Sequence, residues 1–371
     1  MRIRARGGSP VMTAPTEVAL RMIALGATPD SLRSKHVKPR QDLGRPARVL
    51  AVVHGWMPYL AAGSERMVQH MLDALPREEF EVHILSLGYG NDPGINNFYM
   101  YEGTPVTVGY EPPFVPDIIV THHGPGSRVV QALCQDFPDA RVVAVYHNER
   151  YDIEDIKSLN AELEVFNTWW VGGSVRRAGA AGLSGLEQGI IVVHPPLEPD
   201  RHRVEETGSA VTLVNLQENK GVRVFQELAR RMPDVRFLGV EGTHGTQERP
   251  KIPNVEYMPV TQDMRDVWRK SRVVLMPSGY ESYGMVAAEA QVNGIPVIAN
   301  PTAGLAECLG NAGIFIPRSN IDDYERALRL LLEDRKHYQE RSEMARLRGQ
   351  ELQSQTEREL ARFIDEMRRL S

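Results

Sequence analysis

Short apolar runs alternate with glycine-bearing turns and amphipathic stretches along most of this chain, and that alternation constrains the fold most. Val49 to Val53 reads as a buried strand, followed by a loop, His54 to Ser64, that carries Gly55, Pro58 and Gly63. Ser64 reads as the N-cap of a helix over Glu65 to Leu75, with Met67, Val68, Met71, Leu72 and Leu75 on its inner face. Further strands are expected at Val82–Leu87, Ile118–Thr121 and Val142–Tyr146, with a short one at Trp169–Val171. A polar, proline-rich stretch from His194 to Ser209 then reads as a domain boundary. Beyond it the pattern restarts, with a strand at Val211–Val214, a helix at Val222–Met232 and strands at Val235–Val240 and Asn254–Tyr257. Strands alternating with helices imply parallel, doubly wound sheets. At 371 residues, two domains can each bury a core.

A hydrophobic content of 42% with 25% charged residues is that of a globular chain, and no apolar run approaches eighteen residues, so no membrane span is expected. The opening MRIRARGGSP is basic but lacks an apolar core, so a secretory signal is not expected. Cys134 and Cys308 fall in different expected domains and read as free thiols of a reducing, cytoplasmic compartment. No Cys/His group has zinc spacing along the chain, so no metal is expected.

Residues 1–48 hold ten Lys/Arg against three acids in a chain whose net charge is −5. This extension reads as two short helices, one opening at Pro15 and one at Thr28-Pro29-Asp30, then a linker from Lys38 to Pro46. A basic arm on an acidic body can touch nucleic acid, a phosphate-bearing partner or the body itself. A poorly ordered or self-docking extension is the simpler reading, and nucleic acid the less favoured partner. After Ile316 the chain is expected to be helical to its end.

The segment Ser271 to Pro317 is the most specific. Val273–Met276 reads as a strand closed by Pro277-Ser278-Gly279, Gly284–Val292 as a helix with small Ala287, Ala288 and Ala290, and Ile295–Ala299 as the next strand. Glu281 and Glu289 stand eight positions apart, one in the loop at a helix start and one two turns along. That spacing lets both carboxylates face one ligand.

Pro277-Ser278, Glu281-Ser282-Tyr283-Gly284, Glu289-Ala290, Gly294-Ile295-Pro296-Val297-Ile298 and Gly304-Leu305-x-Glu307 occur in that order. Together they resemble the E-x7-E region of the family 4 retaining glycosyltransferases (glycosyl transferases group 1). The resemblance spans about residues 47 to 345, sharply in the second half and loosely in the first. It implies an α/β protein of GT-B type, two Rossmann-like doubly wound parallel-sheet domains facing a cleft, here with a short helical N-terminal extension. The expected divisions are residues 1–46 (extension and linker), 47–200 (acceptor side), 201–345 (donor nucleotide-sugar side) and 346–371 (a helix crossing back to the first domain).

The resemblance further implies a donor nucleotide-diphosphate sugar as substrate, no cofactor and no metal. Glu281 would accept hydroxyls of the transferred sugar and Glu289 those of the ribose. Ser282, Tyr283 and Gly284, with Gly304 and Leu305 at another helix start, would bring backbone N–H groups to the diphosphate. Gly63 and Ser64 resemble the glycine-rich loop that touches the donor phosphate, and Lys220 the lysine of a phosphate clamp. The clamp's usual arginine is replaced by Val214 or Asn215, so Asn215 as a donor, amides or another arginine must supply what is lost. His147, after the strand Val142–Tyr146, sits where relatives keep a histidine near the reactive sugar, and His54 resembles a less specific site position.

The implied function is therefore retaining, metal-independent transfer of a sugar to a hydroxyl acceptor, with Glu281, Lys220 and His147 as the catalytic group. The acceptor class, whether small metabolite, glycan, lipid or protein, stays open. Same-fold alternatives are a sugar-nucleotide epimerase or a nucleotide-sugar-binding protein without transfer. His122-His123-Gly124-Pro125-Gly126 reads as a turn but not as a dinucleotide motif, because Val129 replaces the third glycine and Pro125 lacks a needed N–H.

Overall fold

The computed structural model describes residues 44–60, 62–88, 94, 96–150, 153–179, 189–243, 245–261 and 263–371. The two helices expected in the basic extension lie outside the described residues. The described chain forms two compact units, which divide between Pro196 and Leu197 and again between Ser354 and Gln355.

The first unit holds β1 (Ala47–Val53), α1 (Gly63–Asp73), β2 (Phe80–Ser86), β3 (Asn97–Tyr101), β4 (Thr104–Val108) and β5 (Ile118–His122). It continues through α2 (His123–Asp136), β6 (Arg141–Tyr146), α3 (Ile153–Lys157), β7 (Leu163–Phe166), α4 (Trp169–Gly179) and β8 (Gly189–Val192). Among the described residues these strands form one sheet of order β3-β4-β2-β1-β5-β6-β7-β8. All neighbours are parallel except the β3–β4 hairpin. Central β1 pairs Val49 with Val82 on one side and Ile118 on the other.

A buried parallel strand must be apolar on both faces, which is why ARVLAVV is continuous rather than alternating. Val49, Ala51 and Val53 meet Met67, Val68 and Met71 of α1 on one face. Leu50 and Val52 meet Val130 and Leu133 of α2 on the other.

The second unit holds α5 (Pro199–His202), β9 (Ala210–Val214), α6 (Val222–Arg231), β10 (Phe237–Val240), β11 (Val255–Met258), α7 (Arg265–Trp268) and β12 (Ser271–Met276). Then come α8 (Met285–Val292), β13 (Val297–Ala299), α9 (Ala303–Leu309), β14 (Ile314–Phe315), α10 (Ile321–Glu333) and α11 (Arg335–Leu370). The sheet order is β11-β10-β9-β12-β13-β14, parallel throughout. Phe225 and Leu228 of α6 and Tyr324 and Leu328 of α10 cover one face. Trp268, Ala287, Ala288 and Leu305 cover the other, the alanines letting α8 approach closely. Truncating Leu228, which is fully buried, costs about 2–5 kcal/mol by lost transfer energy and the cavity left. Residues of α11 divide between the units: Leu352 packs in the second core, whereas Phe363, Met367 and Leu370 pack with β1 and β2 in the first.

Three local expectations change, and one hairpin is added. Trp169–Val171 is the first turn of α4 and not a strand, because the Thr168 hydroxyl accepts the Val171 N–H at 3.1 Å and starts a helix there. Ser64 lies inside α1, whose N-cap position is Ala62, and its hydroxyl donates to Glu65 Oε2 at 2.9 Å instead of capping. The Gly124-Pro125-Gly126 turn is the first turn of α2, where the missing proline N–H has no intrahelical partner to lose. Gly126 is required there, since a Cβ would stand 2.8 Å from the Val52 carbonyl oxygen. The β3–β4 hairpin escapes a sequence reading because Glu102-Gly103, rather than Asn-Gly, makes its two-residue turn, both with positive φ.

Candidate active site

In the second unit, the loops that leave the C-terminal ends of β9 and β12 carry the charged groups. β9 is followed directly by Asn215, a non-glycine residue held at φ 74°. Its side-chain oxygen accepts from Gln247 Nε2 at 3.3 Å, and Gln247 Oε1 in turn accepts the Leu216 and Gly242 N–H groups at 2.8 and 2.9 Å. The next turn, Glu218–Lys220, ends at Gly221 with φ 93°. A Cβ on Gly221 would stand 2.3 Å from the Pro277 ring, so the two loops pack against each other only with glycine here.

That contact sets Lys220 beside Glu281. Lys220 Nζ donates to Glu281 Oε1 at 2.7 Å, and Ser278 Oγ donates to the same oxygen at 3.0 Å. Both bonds land on Oε1, which holds the half-buried carboxylate in one orientation.

The stretch after Glu281 is fixed by backbone contact with the start of α9. A Cβ on Gly304 would stand 2.4 Å from the Glu281 carbonyl oxygen, and one on Gly284 (φ 108°) would stand 2.6 Å from Leu305. Tyr283 is buried in the core, and the Cys308 sulfur sits 3.7 Å from the Gly284 carbonyl. Burial pushes that thiol up to about 12. Thr302 caps α9 by accepting the Leu305 N–H at 3.3 Å, so the open first-turn amides are those of Ala303 and Gly304. The Leu305 amide is thus committed within the chain.

Glu289 lies on α8, 8% exposed, with its Oε2 3.5 Å from His202 Nδ1. Asn293 ties the two segments, donating to the backbone carbonyls of Glu289 and His202 at 3.1 and 3.0 Å. The structure therefore unites Lys220, Ser278 and Glu281 in one hydrogen-bonded group and sets Glu289 against His202.

A guanidinium invisible to motif reasoning braces this group. Arg318, just after β14, donates to the Glu218 carbonyl at 3.1 Å, and its Nη1 stands 2.5 Å from where a Cβ on Gly279 would be. Its own N–H is held by Asn300 at 3.0 Å, and Asn300 also donates to the Ser278 carbonyl at 2.9 Å. Arg318 thus spans the loops that carry Lys220 and Glu281. No spacing rule marks it, because Glu218 lies a hundred positions away.

Gly63, Ser64 and His147 belong to the first unit. Gly63 is exposed, and a Cβ there would meet nothing within 4 Å. His147 follows β6, where its Nε2 lies 2.9 Å from His122 Nδ1 and its carbonyl accepts from Asn167 at 2.8 Å. Burial, reinforced by the neighbouring imidazoles, holds both His122 and His147 well below the ordinary histidine range.

The structure aligns with sucrose-phosphate synthase from Thermosynechococcus elongatus at a TM-score of 0.68, covering 87% of this chain and 97% of that one at 16% identity. It aligns equally broadly with an alpha,alpha-trehalose-phosphate synthase (UDP-forming) from Burkholderia xenovorans, at a TM-score of 0.65 and 12% identity over 87% and 100% of the two chains. The fold is GT-B.

At the level of sequence, residues 246–348 match the family model for Glycosyl transferases group 1. A D-inositol 3-phosphate glycosyltransferase from Streptomyces bingchenggensis is 46% identical over 79 residues, 20% of this chain and 17% of its own length. Among the first relatives of this kind the match spans 17% to 36% of their length. The matched family segment contains Ser278, Glu281, Glu289, Gly304 and Arg318, and leaves out Lys220. No helix among the described residues is long and apolar enough to cross a membrane.

Proposed function

We propose that the chain is a retaining glycosyltransferase that moves a sugar from a nucleotide-diphosphate sugar to a hydroxyl acceptor. The observation that carries this reading is the Lys220–Glu281 pair, set by the Gly221–Pro277 contact at the C-terminal ends of a parallel sheet. Ligands of open α/β sheets bind at that edge. Glu281 Oε2 then accepts a hydroxyl of the transferred sugar, and Glu289 accepts ribose hydroxyls in exchange for its contact with His202.

Lys220 and the amides at Ser282–Gly284 and Ala303–Gly304 hold the diphosphate, with no metal needed there. Arg318 supplies the second positive charge that Val214 and Asn215 do not. The bond from the anomeric carbon to the diphosphate oxygen breaks as the acceptor oxygen bonds to the same face, and the departing oxygen takes the acceptor's proton. His147, neutral at physiological pH, orients a donor hydroxyl.

The test is a panel of nucleotide-diphosphate sugars offered to the full-length protein, read by thermal shift and by release of nucleoside diphosphate. One donor is expected to raise the melting temperature by mass action and to turn over slowly in water, with product of unchanged anomeric configuration. A panel without binding or release would overturn the reading.

A nucleotide-sugar-binding protein without transfer is the second reading. The absent arginine at Val214–Asn215 favours it, and tight donor binding with no turnover in the presence of acceptor extracts would select it.

A further inference from the structure

Four polar side chains of the first unit, none of them assigned a part in the transfer chemistry, converge on one point. His54 directly follows β1, Glu65 lies in the first turn of α1, His122 ends β5 and His123 opens α2. One ligand atom from each of these four lies within 4.8 Å of the other three. His147 stands behind His122. We propose that His54, Glu65, His122 and His123 bind one Zn2+ ion.

The spacing fits an ion better than hydrogen bonds. His54 Nε2 and His122 Nε2 lie 3.6 and 3.8 Å from Glu65 Oε1, too far to donate to it. Ligands at 2.0–2.1 Å around a tetrahedral zinc stand about 3.3 Å apart, close to these separations. Glu65 Oε1 and His122 Nε2 are both buried without a hydrogen-bond partner, in side chains 1% and 0% exposed. Leaving such a pair unsatisfied costs several kcal/mol, roughly 1–3 for each group and more for a charged one. Among the described residues no lysine or arginine pairs with Glu65, so a bound cation is the counter-charge the site lacks.

The surroundings orient the ligands as a metal requires. Ser64 donates to Glu65 Oε2, which leaves Oε1 to face inward as a single ligand atom. His122 Nδ1 lies 2.9 Å from His147 Nε2. With the proton on Nδ1, His122 donates to His147 and turns the lone pair of Nε2 toward Glu65, the tautomer a metal-ligating histidine adopts.

His123 adds an observation of its own. Successive side chains of a strand point to opposite faces, yet the His122 and His123 rings are 4.5 Å apart. The chain achieves this by holding His123 at φ 60°, a left-handed conformation that costs on the order of 1–3 kcal/mol for a non-glycine residue and persists where surroundings enforce it. Three imidazoles and one carboxylate form a closed set of borderline ligands, which suits zinc better than the oxygen-seeking magnesium or calcium. The ion ties the ends of β1 and β5 to the first turn of α1, and so fixes the loop that leads to Gly63 and Ser64.

The test uses the full-length protein without a histidine tag, stripped with chelator and titrated with Zn2+ alone by calorimetry and with Co2+ alone by visible absorption. One Zn2+ per chain is expected, together with intense visible bands of tetrahedral Co2+ and a higher melting temperature on loading. H54N, a change at a half-buried position, and E65Q should each weaken Zn2+ binding at least about 100-fold, and H147N by roughly 10–100-fold through His122. Unchanged circular dichroism of the stripped variants separates loss of ligand from loss of fold. Stripped wild-type protein that takes up no Zn2+ at micromolar concentration would overturn the proposal. Uptake that persists unchanged in both H54N and E65Q would also overturn it, since the ion would then sit on other histidines. None of these readouts depends on which sugar the protein transfers.

Discussion

Lys220 Nζ and Glu281 Oε1, sixty-one positions apart in the chain, meet at 2.7 Å. The pair is half-buried, so Lys220 is held at one point rather than sweeping through solvent. Lys220→Met keeps the apolar stem and removes the charge. Donor affinity is expected to fall roughly 10–100-fold, the worth of a charge-assisted hydrogen bond of about 1.5–3 kcal/mol. Isothermal titration with the donor checks it; an affinity within twofold of wild type would remove Lys220 from the site.

Gly304→Ala tests whether the loop after Glu281 depends on backbone contact. The added methyl would stand 2.4 Å from both the Glu281 carbonyl and the Ser282 carbonyl carbon, and neither is the end of a flexible side chain. The loop must shift, with an overpacking cost of about 1–3 kcal/mol. We expect a melting temperature lower by several degrees, together with a loss of donor binding that the drop in stability alone does not explain.

Arg318→Ala and Arg318→Lys separate bracing from charge. The guanidinium donates to the Glu218 carbonyl while lying over Gly279, two contacts that a single ammonium does not make together. Both variants are expected to bind donor more weakly, alanine by about tenfold and lysine by less. Equal donor affinity in all three proteins would restrict Arg318 to the surface.

A pH effect is expected from the first unit. Burial raises Glu359, but hydrogen bonds from His194 and Gln355 and the charge of His194 more than offset it, leaving the carboxyl below its ordinary 4.5. A carboxylate with a depressed folded-state value stabilises fully above its unfolded value. That stability is lost as pH falls through the folded value. Glu359→Gln should therefore be less stable than wild type at neutral pH and converge with it under acid conditions below 4.5. Chemical denaturation across that range is the measurement, and a constant difference would exclude this linkage.

Contiguity decided what could be read in advance. The Glu281 loop, the alanines of α8 and the Gly304 turn lie within one segment, so residue types and short spacings were enough to mark them. Doubly wound sheets were equally legible, because strands such as ARVLAVV can be buried on both faces. Arg318 stands one residue beyond that segment, but its role comes from Glu218 and Gly279, which only the folded sheet brings near. The convergence of His54, Glu65, His122 and His123 was not legible, because they come together from two strand ends and two helix starts rather than from a short motif. Trp169-Trp170-Val171 has strand-like side chains, and the hydroxyl of Thr168 decides for a helix.

The decisive measurement for Glu281 is the rate of nucleoside diphosphate release from the preferred donor, compared between wild type and Glu281→Ala. A fall of roughly 10²–10³-fold is expected, the cost of losing one preorganised polar contact to the transition state, with the melting temperature little changed. Release that proceeds at the wild-type rate in Glu281→Ala would contradict that expectation.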